Sequence, residues 1–169
     1  MRVILMSLVL ASTCAVAAAA QTGGQGKDKA KAGAAHDYDP ARDAGRDVKE
    51  AVAEARASKR NVLLEVGGRW CVWCRITDKY FADHADLLAL REKNFVTIKI
   101  NFSPENENKA LLSNYPEIPG YPHLFVLDAE GKLLHSQNTA ELEEGKSYNF
   151  EKFTAFLKKW SPGDAQPRR

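Results

Sequence analysis

Residues 61–74 read NVLLEVGGRWCVWC and contain a short apolar run, a glycine pair and two cysteines three positions apart. The apolar run, 61–66, is rich in aliphatic and β-branched residues and predicts a buried β-strand. The glycine pair, Gly67-Gly68, ends that strand. A helix is predicted to begin near Cys71 and to continue to about Phe81. The sequence therefore predicts a strand followed almost at once by a helix that opens on a Cys-x-x-Cys pair.

The two cysteines, Cys71 and Cys74, are placed for thiol chemistry. A helix N-terminus exposes unpaired N–H groups and a partial positive charge, which stabilise a thiolate and lower its pKa. Three residues make nearly one helical turn, so the second sulfur is expected to lie beside the first. The spacing predicts that Cys71 attacks a substrate disulfide and that Cys74 resolves the resulting mixed disulfide.

The rest of the pattern predicts an α/β domain. Helices separate the first two strands, which predicts parallel pairing, and a turn at 128–132 predicts an antiparallel hairpin. The first helix is assigned Asp39 as its N-cap and Pro40 as its first residue. A later helix is assigned Ser103 as its N-cap. The predicted helices cover Asp39–Ser58, 71–81, 83–93, 103–114 and 150–160, and the predicted strands cover 61–66, 95–100, 124–127 and 133–136.

The N-terminal sequence predicts export. A positive start at Met1-Arg2, an apolar run and an alanine-rich stretch ending at Ala20 have the layout of a secretory signal peptide over 1–20. We expect cleavage near Ala20 and a periplasmic or secreted protein. A retained N-terminal anchor is the less favoured alternative because the apolar run is short.

The composition divides the remaining chain. Residues 21–36 are rich in Gly, Ala, Lys and Gln, which predicts a flexible linker. Residues 37–162 are predicted to form the folded domain, and 163–169 a disordered C-terminal tail. The formal net charge of +2 gives no indication of a nucleic-acid partner.

The cysteine count favours a chemically reactive cysteine pair over a structural disulfide. The chain has three cysteines, and signal cleavage would remove Cys14 and leave only Cys71 and Cys74. A bridge between these two closes almost no loop, so it stabilises the fold little. Zinc sites normally need four Cys or His ligands, and the histidines are scattered. We therefore predict a redox-active disulfide, no metal and no other cofactor, with a metal or proton-relay role for His123 as a minor alternative.

At four places the sequence resembles the thioredoxin superfamily, above all exported bacterial thioredoxin-like proteins with a Trp-Cys-x-x-Cys motif. Trp70 precedes the first cysteine. Glu65 stands six residues before that cysteine, where thioredoxins carry a buried aspartate. Residues 99–101, Lys-Ile-Asn, match the Lys-Leu-Asn at the end of the next family strand. Residues 120–122, Gly-Tyr-Pro, match the Gly-Ile-Pro that supplies the family's cis-proline. The resemblance spans roughly residues 62–160.

The resemblance implies a thioredoxin-like fold: a central mixed sheet flanked by helices, here with an N-terminal helix as an extension. It implies that Glu65 takes a proton from Cys74 and that Lys99 supports it. It also implies that extended substrates pair beside the cis-proline. Exposed indoles beside the thiols would add an apolar docking surface, unless Trp73 packs back onto the domain. The predicted substrate-binding residues are Trp70, Trp73, Tyr121 and Pro122.

The residues between the cysteines bear on the direction of electron flow. The residues between the cysteines, Val72-Trp73, lack the histidine of strongly oxidising relatives, which favours a reductase. The expected partners are protein or peptide thiols and disulfides. An upstream redox partner is also expected, with a membrane-bound protein as one candidate. A disulfide isomerase or oxidase remains an alternative. So does a non-catalytic binding or chaperone-like module, because the fold alone does not guarantee redox activity.

Overall fold

The structure, a computed structural model, describes residues 37–163 of the chain. The predicted signal peptide, the predicted linker and, apart from Gly163, the predicted C-terminal tail lie outside the described residues. The helices are α1 Ala44–Ser58, α2 Val72–Asp83, α3 Ala85–Asn94, α4 Lys109–Leu112 and α5 Phe150–Lys159. The strands are β1 Asn61–Gly67, β2 Phe95–Asn101, β3 His123–Leu127, β4 Leu133–Asn138, β5 Glu143–Glu144 and β6 Ser147–Tyr148.

The apolar run at 61–67 becomes an inner strand of a four-stranded sheet with the order β2-β1-β3-β4. β1 pairs in parallel with β2 and antiparallel with β3, and β3 pairs antiparallel with β4. All seven residues of β1 are buried because helices cover both faces of the sheet, which explains why its sequence is a continuous apolar run. The predicted mixed sheet, flanked by helices and preceded by a helix, is confirmed.

The alternating side chains of β1 divide the core between the two faces of the sheet. Leu63 packs with α2, α3 and α5, whereas Leu64 packs with α1. The cluster on the first face includes Leu63, Phe81, Leu87, Phe153 and Leu157. The cluster on the second face includes Ala51, Ala55, Leu64, Ile100 and Phe125. Because side chains alternate along a strand, Glu65 points to the same face as Leu63, toward the helix that carries the cysteines.

The predicted start of the first helix is wrong. Asp39 and Pro40 lie in a turn, in which the Asp39 carboxylate accepts the N–H of Ala41 at 3.0 Å. α1 begins at Ala44, and its N-cap is Asp43, whose carboxylate accepts the N–H of Arg46 at 3.0 Å. Both aspartates are good capping residues. The upstream one closes a local Asx-type turn instead of a helix.

The predicted helix start at Ser103 is also wrong. Ser103 forms an isolated antiparallel bridge with Asn106, and the short helix α4 begins only at Lys109. The loop is organised by Asn101, whose side-chain amide donates to Ser103 Oγ at 3.1 Å and to the Asn106 carbonyl at 2.8 Å. These hydrogen bonds within residues 101–106 form a loop where the Ser-Pro-Glu sequence predicts a helix start.

Candidate active site

The cysteine pair lies at the N-terminus of α2. Cys71 is the N-cap, with extended backbone angles (φ −77°, ψ 113°), and its Sγ accepts the N–H of Cys74 at 3.0 Å. The two sulfurs are joined in a disulfide. A sulfur thus takes the place of the usual capping oxygen. Negative charge that develops on Cys71 would face the exposed amides and the positive end of the helix dipole.

Both cysteines are nearly enclosed: Cys71 is 3% exposed and Cys74 is 1% exposed. They form one buried cluster with Tyr38, and Trp73 and Tyr121 pack against it. Little of Cys71 therefore faces solvent. A substrate sulfur bonded to Cys71 would lie near these aromatic side chains.

The glycine pair does more than end β1. A Cβ atom on Gly67 would lie 2.4 Å from Cys74 Sγ and 3.0 Å from Tyr38 Oη. A Cβ atom on Gly68 would lie 2.4 Å from Trp70 Nε1 and 2.9 Å from the Phe102 carbonyl oxygen. The missing side chains therefore make room for the resolving sulfur on one side and for the indole of Trp70 on the other.

Two aromatic side chains form the open border of the site. Trp70 is 51% exposed, and its indole N–H donates to the Phe102 carbonyl at 2.7 Å. Its ring meets Tyr121 edge to face at a centroid distance of 5.4 Å, and Tyr121 stacks on Phe102 at 5.0 Å. The Tyr121–Pro122 peptide bond is cis.

Trp73 differs from the expectation of an exposed indole. It is half-buried and packs edge to face on Tyr148 at a centroid distance of 5.6 Å. The Tyr148 hydroxyl in turn lies 2.9 Å from Thr77 Oγ1. The ring is held by β6 and by its own helix. Trp73 therefore packs back onto the domain, the arrangement that the sequence left open.

Glu65 is buried behind the cysteines, with 1% of its surface exposed. The hydroxyl of Tyr38 donates a hydrogen bond to Glu65 Oε1 at 2.7 Å. Loss of hydration on burial raises the pKa of Glu65, and the positive charge of Lys99 and the Tyr38 hydrogen bond partly oppose this. A raised pKa suits the role that the family resemblance implies for Glu65, the acceptance of a proton from Cys74.

Lys99 lies near Glu65 but pairs with another acid. The two residues are neighbours in the parallel register of β1 and β2. The Lys99 ammonium, however, donates to both carboxylate oxygens of Asp78, at 2.5 and 2.6 Å. Asp78 is exposed and lies one helical turn after Cys74. Glu65 is buried and accepts its hydrogen bond from the Tyr38 hydroxyl instead. A direct Lys99–Glu65 ion pair is therefore absent, and Lys99 acts on Glu65 through its field alone.

Sequence reasoning missed two residues of this site, Tyr38 and Asp78. Asp78 could have been found, because it follows Cys74 by four positions and so lies on the same helix face. Tyr38 carries a weaker signal: it is an isolated aromatic at the edge of a polar segment. Its place beside Glu65, 27 residues away in sequence, depends on the tertiary fold.

A cavity of about 650 Å³ opens beside the exposed indole. Its lining is mostly apolar and includes Tyr38, Pro40, Trp70, Phe102 and Pro104, with Arg69, Glu105 and Glu107 among its charged residues. The Asn106 side-chain amide donates to the Pro40 carbonyl at 2.9 Å and ties together two walls of the cavity. The cavity is thus preformed next to the residue that precedes Cys71.

His123 lies in the sheet, at the start of β3. It is buried, and its Nε2 lies 2.8 Å from Ser136 Oγ on β4. Burial, helped by the nearby His135, lowers the pKa of His123 to about 4.

Within residues 37–163, no group of three or more His, Cys, Asp or Glu side chains is arranged to hold a metal ion. In the same residues, no helix is long and apolar enough to cross a membrane.

Comparison with known proteins agrees with this geometry. The thioredoxin-like family matches residues 43–129, from the N-cap of α1 to the turn after β3. The chain belongs to the thioredoxin-like family. The resemblance inferred from the Trp-Cys-x-x-Cys motif is thereby confirmed. Family membership accounts for the mixed sheet and for the position of the cysteine pair at a helix N-terminus.

Three relatives of this thioredoxin-like protein carry names that refer to disulfide chemistry or to DsbD. The chain is 29% identical over 113 residues to the thiol:disulfide interchange protein DsbD of Pseudomonas fluorescens, a match that covers 66% of this chain and 18% of that protein. It is 28% identical to a disulphide isomerase from Xylella fastidiosa, with a TM-score of 0.62 over 72% of this chain and 94% of that one. The reduced C-terminal domain of Neisseria meningitidis DsbD shares the fold, at 20% identity and a TM-score of 0.52 over 69% and 96% of the two chains.

Proposed function

We propose that this protein is an extracytoplasmic thiol–disulfide oxidoreductase that reduces disulfides in proteins or peptides. The observation that carries the proposal is the position of Cys71 Sγ as the N-cap acceptor of α2, with Cys74 bonded to it. A thiolate at this position is stabilised by the helix amides. Membership of the thioredoxin-like family and relatives named for disulfide interchange and isomerisation support it.

The proposed reaction begins with the reduced pair. The Cys71 thiolate attacks one sulfur of a substrate disulfide, which breaks the substrate S–S bond and releases the other sulfur as a thiolate that takes up a proton. Cys74 then loses its proton to Glu65 and attacks Cys71 Sγ. The Cys71–Cys74 bond forms, the mixed disulfide breaks and the second substrate thiol leaves. Two electrons pass from the protein to the substrate, and the Cys71–Cys74 disulfide is the only redox group that the reaction needs.

Substrate docking is assigned to the aromatic border and the backbone beside it. Trp70 and Tyr121 offer apolar surface next to Cys71. The cavity beside Trp70 would receive a substrate side chain close to the reacting cysteine. By resemblance to the family, the backbone at Tyr121-Pro122 pairs with an extended substrate strand. Trp73 contributes less to docking than Trp70, because it packs on Tyr148.

Location and direction rest on sequence features. The N-terminal stretch 1–20 supports export, and the Val72-Trp73 pair supports a reductase. Such a reductase needs an upstream donor that returns electrons to the Cys71–Cys74 disulfide, and a membrane-bound donor would suit an exported protein. The equilibrium reduction potential against glutathione tests the direction. A value more reducing than that of glutathione supports a reductase, and a more oxidising value contradicts it.

Reduction of insulin disulfides tests the activity. We expect turnover by the wild-type protein and by Cys14→Ser, the control that removes the third cysteine of the chain. We expect no turnover by Cys71→Ser, and trapping of a mixed disulfide with substrate by Cys74→Ser. The alkylation rate of Cys71 should follow a pKa below that of an ordinary thiol. Absence of wild-type turnover, with equal partner binding by Cys71→Ser, would indicate a non-catalytic binding module instead.

An isomerase is the second candidate, and one observation favours it. The Xylella fastidiosa structure, which this chain matches over 94% of that structure's length, is named a disulphide isomerase. Recovery of activity by scrambled ribonuclease, without added oxidant or reductant, would support isomerisation. An isomerase would keep this recovery in the Cys74→Ser variant, because the attacking thiol alone can shuffle disulfides.

A further inference from the structure

Tyr38 lies in the active site without a role in the reaction described above. It belongs to the segment before α1, is 2% exposed and shares a buried cluster with both cysteines. Its hydroxyl donates to Glu65 Oε1 at 2.7 Å. The hydroxyl and Cys74 Sγ both lie against the α-carbon of Gly67, where a Cβ atom would come within 3.0 Å of the first and 2.4 Å of the second. The phenol is therefore adjacent to the acid and to the resolving sulfur.

The segment that carries Tyr38 is fastened on both sides of that residue. Before it, the Asp37 carboxylate accepts the Tyr38 N–H at 2.8 Å and pairs with Arg69 at 2.8 Å. After it, the Pro40 carbonyl accepts the side-chain amide of Asn106 at 2.9 Å. These contacts tie the segment to the loop before the cysteines and to the loop after β2. The phenol is thus held in place by parts of the chain that border the site.

We propose that Tyr38 is a positioning residue for the resolution step: its hydroxyl orients the Glu65 carboxylate toward Cys74 and stabilises the carboxylate form through its hydrogen bond. The inference rests on the proposed function and deepens it. In resolution, the Cys74 proton passes to Glu65, the Cys74 thiolate bonds to Cys71 Sγ, and the electron pair of the broken bond leaves with the substrate thiolate. A protonated Glu65 cannot accept that proton, so the rate falls on the acid side of the Glu65 pKa.

Several charged or titratable groups face Glu65, from every element packed around it. Besides Tyr38, they are Lys99 on β2, Asp78 on α2, Arg91 on α3 and Tyr148 on β6. Burial and Asp78 raise the pKa of Glu65, whereas Lys99, the Tyr38 hydrogen bond and Arg91 lower it. Replacing Tyr38 by phenylalanine removes one hydroxyl and leaves these charges in place. The resulting change can therefore be assigned to the hydrogen bond.

The test measures resolution separately from attack. The reduced full chain, with Cys14→Ser in every arm so that the active-site thiols alone react, is mixed with dithiobis(nitrobenzoate). The first release of thionitrobenzoate reports attack by Cys71, and the second reports resolution by Cys74. The rate of the second phase is measured against pH, and its acid limb is the range in which the rate falls as the pH drops. For Tyr38→Phe we expect this limb to shift to higher pH by about one unit. At a fixed pH on the limb, the rate is then about tenfold lower than in wild type. The first phase should stay unchanged.

Tyr80→Phe is the matched control. Its hydroxyl is buried without a hydrogen-bond partner, so the same chemical change there should leave the acid limb in place. An unmoved limb in Tyr38→Phe, or an equal movement in Tyr80→Phe, would overturn the proposal. If Tyr38→Phe fails to fold, a ring-fluorinated tyrosine at position 38 keeps the shape and strengthens the donor. The limb should then move to lower pH, and an unmoved limb would overturn the proposal.

A carboxyl-carbon NMR titration of Glu65 separates this proposal from the proposed function. Absence of the first release of thionitrobenzoate would contradict the oxidoreductase activity itself. In that case the titration still decides the role of Tyr38. A higher Glu65 pKa in Tyr38→Phe than in wild type and in Tyr80→Phe supports the positioning role, and an unchanged pKa overturns it.

Discussion

At the scale of single residues, the resolving sulfur depends on a side chain that is missing. Cys74 Sγ lies only 2.4 Å from where the Cβ of any larger residue at position 67 would stand. Glu65, two residues earlier on the same strand, lies on the face that turns toward the cysteine helix. The close approach of the sulfur to the strand and the burial of the acid are thus two consequences of one local backbone path.

Gly67→Ala is expected to damage this arrangement. The added methyl group must displace Cys74 Sγ or the Tyr38 hydroxyl, and overpacking of this kind costs about 1–3 kcal/mol. We expect a loss of that size in the free energy of unfolding, measured in urea, and at least tenfold slower insulin reduction. Gly120→Ala is the control, because nothing lies within 4 Å of a Cβ there. Equal losses in both variants would contradict the prediction.

Glu65→Gln is expected to stabilise the protein at neutral pH. Burial raises the pKa of Glu65 above its value of 4.5, so the carboxylate form is disfavoured in the folded chain. That cost is absent below pH 4.5 and grows as the pH rises to the folded pKa, by about 1.4 kcal/mol for each pH unit between the two values. Urea unfolding from pH 4 to 8 should show the variant gaining stability over wild type in that window. A variant less stable than wild type at pH 7 would count against it.

At the scale of elements, the sequence predicted what local pattern determines. The continuous apolar run of β1, the cysteine-led start of α2 and the apolar face of α5 were all assigned close to their observed bounds. It failed where two local signals compete or where distant contacts decide. Asp39 and Asp43 both suit an N-cap, and Ser103 resembles a helix start until Asn101 engages it. The partner of Lys99 was likewise unpredictable, because Asp78 reaches it only once α2 packs on the sheet.

The two candidate caps of α1 can be compared by mutation. Asp43→Ala removes the acceptor of the Arg46 N–H and is expected to lower the free energy of unfolding by about 1 kcal/mol. Asp39→Ala removes an acceptor in an exposed turn and should cost about half as much or less. Thermal and urea unfolding of the two variants provide the measurement. A larger loss of unfolding free energy for Asp39→Ala than for Asp43→Ala would contradict this prediction and favour Asp39 as the N-cap.

At the scale of the whole molecule, the site joins four separate parts of the chain. They are the segment around Tyr38, the stretch from Glu65 to Cys74, the end of β2 at Lys99, and the turn at Tyr121. Sequence reasoning located the last three through the motif and the family resemblance. The first carries no motif, and only the folded chain places it beside the acid. The same fold buries His123 in the sheet, away from the cysteine helix. Protonation of this histidine is therefore expected to affect the free energy of unfolding of the domain.

The contribution of His123 to the stability of the domain should therefore fall as the pH drops below about 6.5. Burial lowers the pKa of His123 from 6.5 to about 4, with His135 adding to the effect and Glu141 opposing it. Between these values the unfolded chain binds the proton and the folded chain does not, so the His123 contribution is complete above pH 6.5 and declines toward pH 4. The decline amounts to about 3 kcal/mol. Urea unfolding of His123→Gln, whose amide can still hydrogen-bond Ser136 Oγ, should lack this decline, and His84→Gln should retain it. An equal slope in wild type and His123→Gln would show that other groups cause the acid sensitivity.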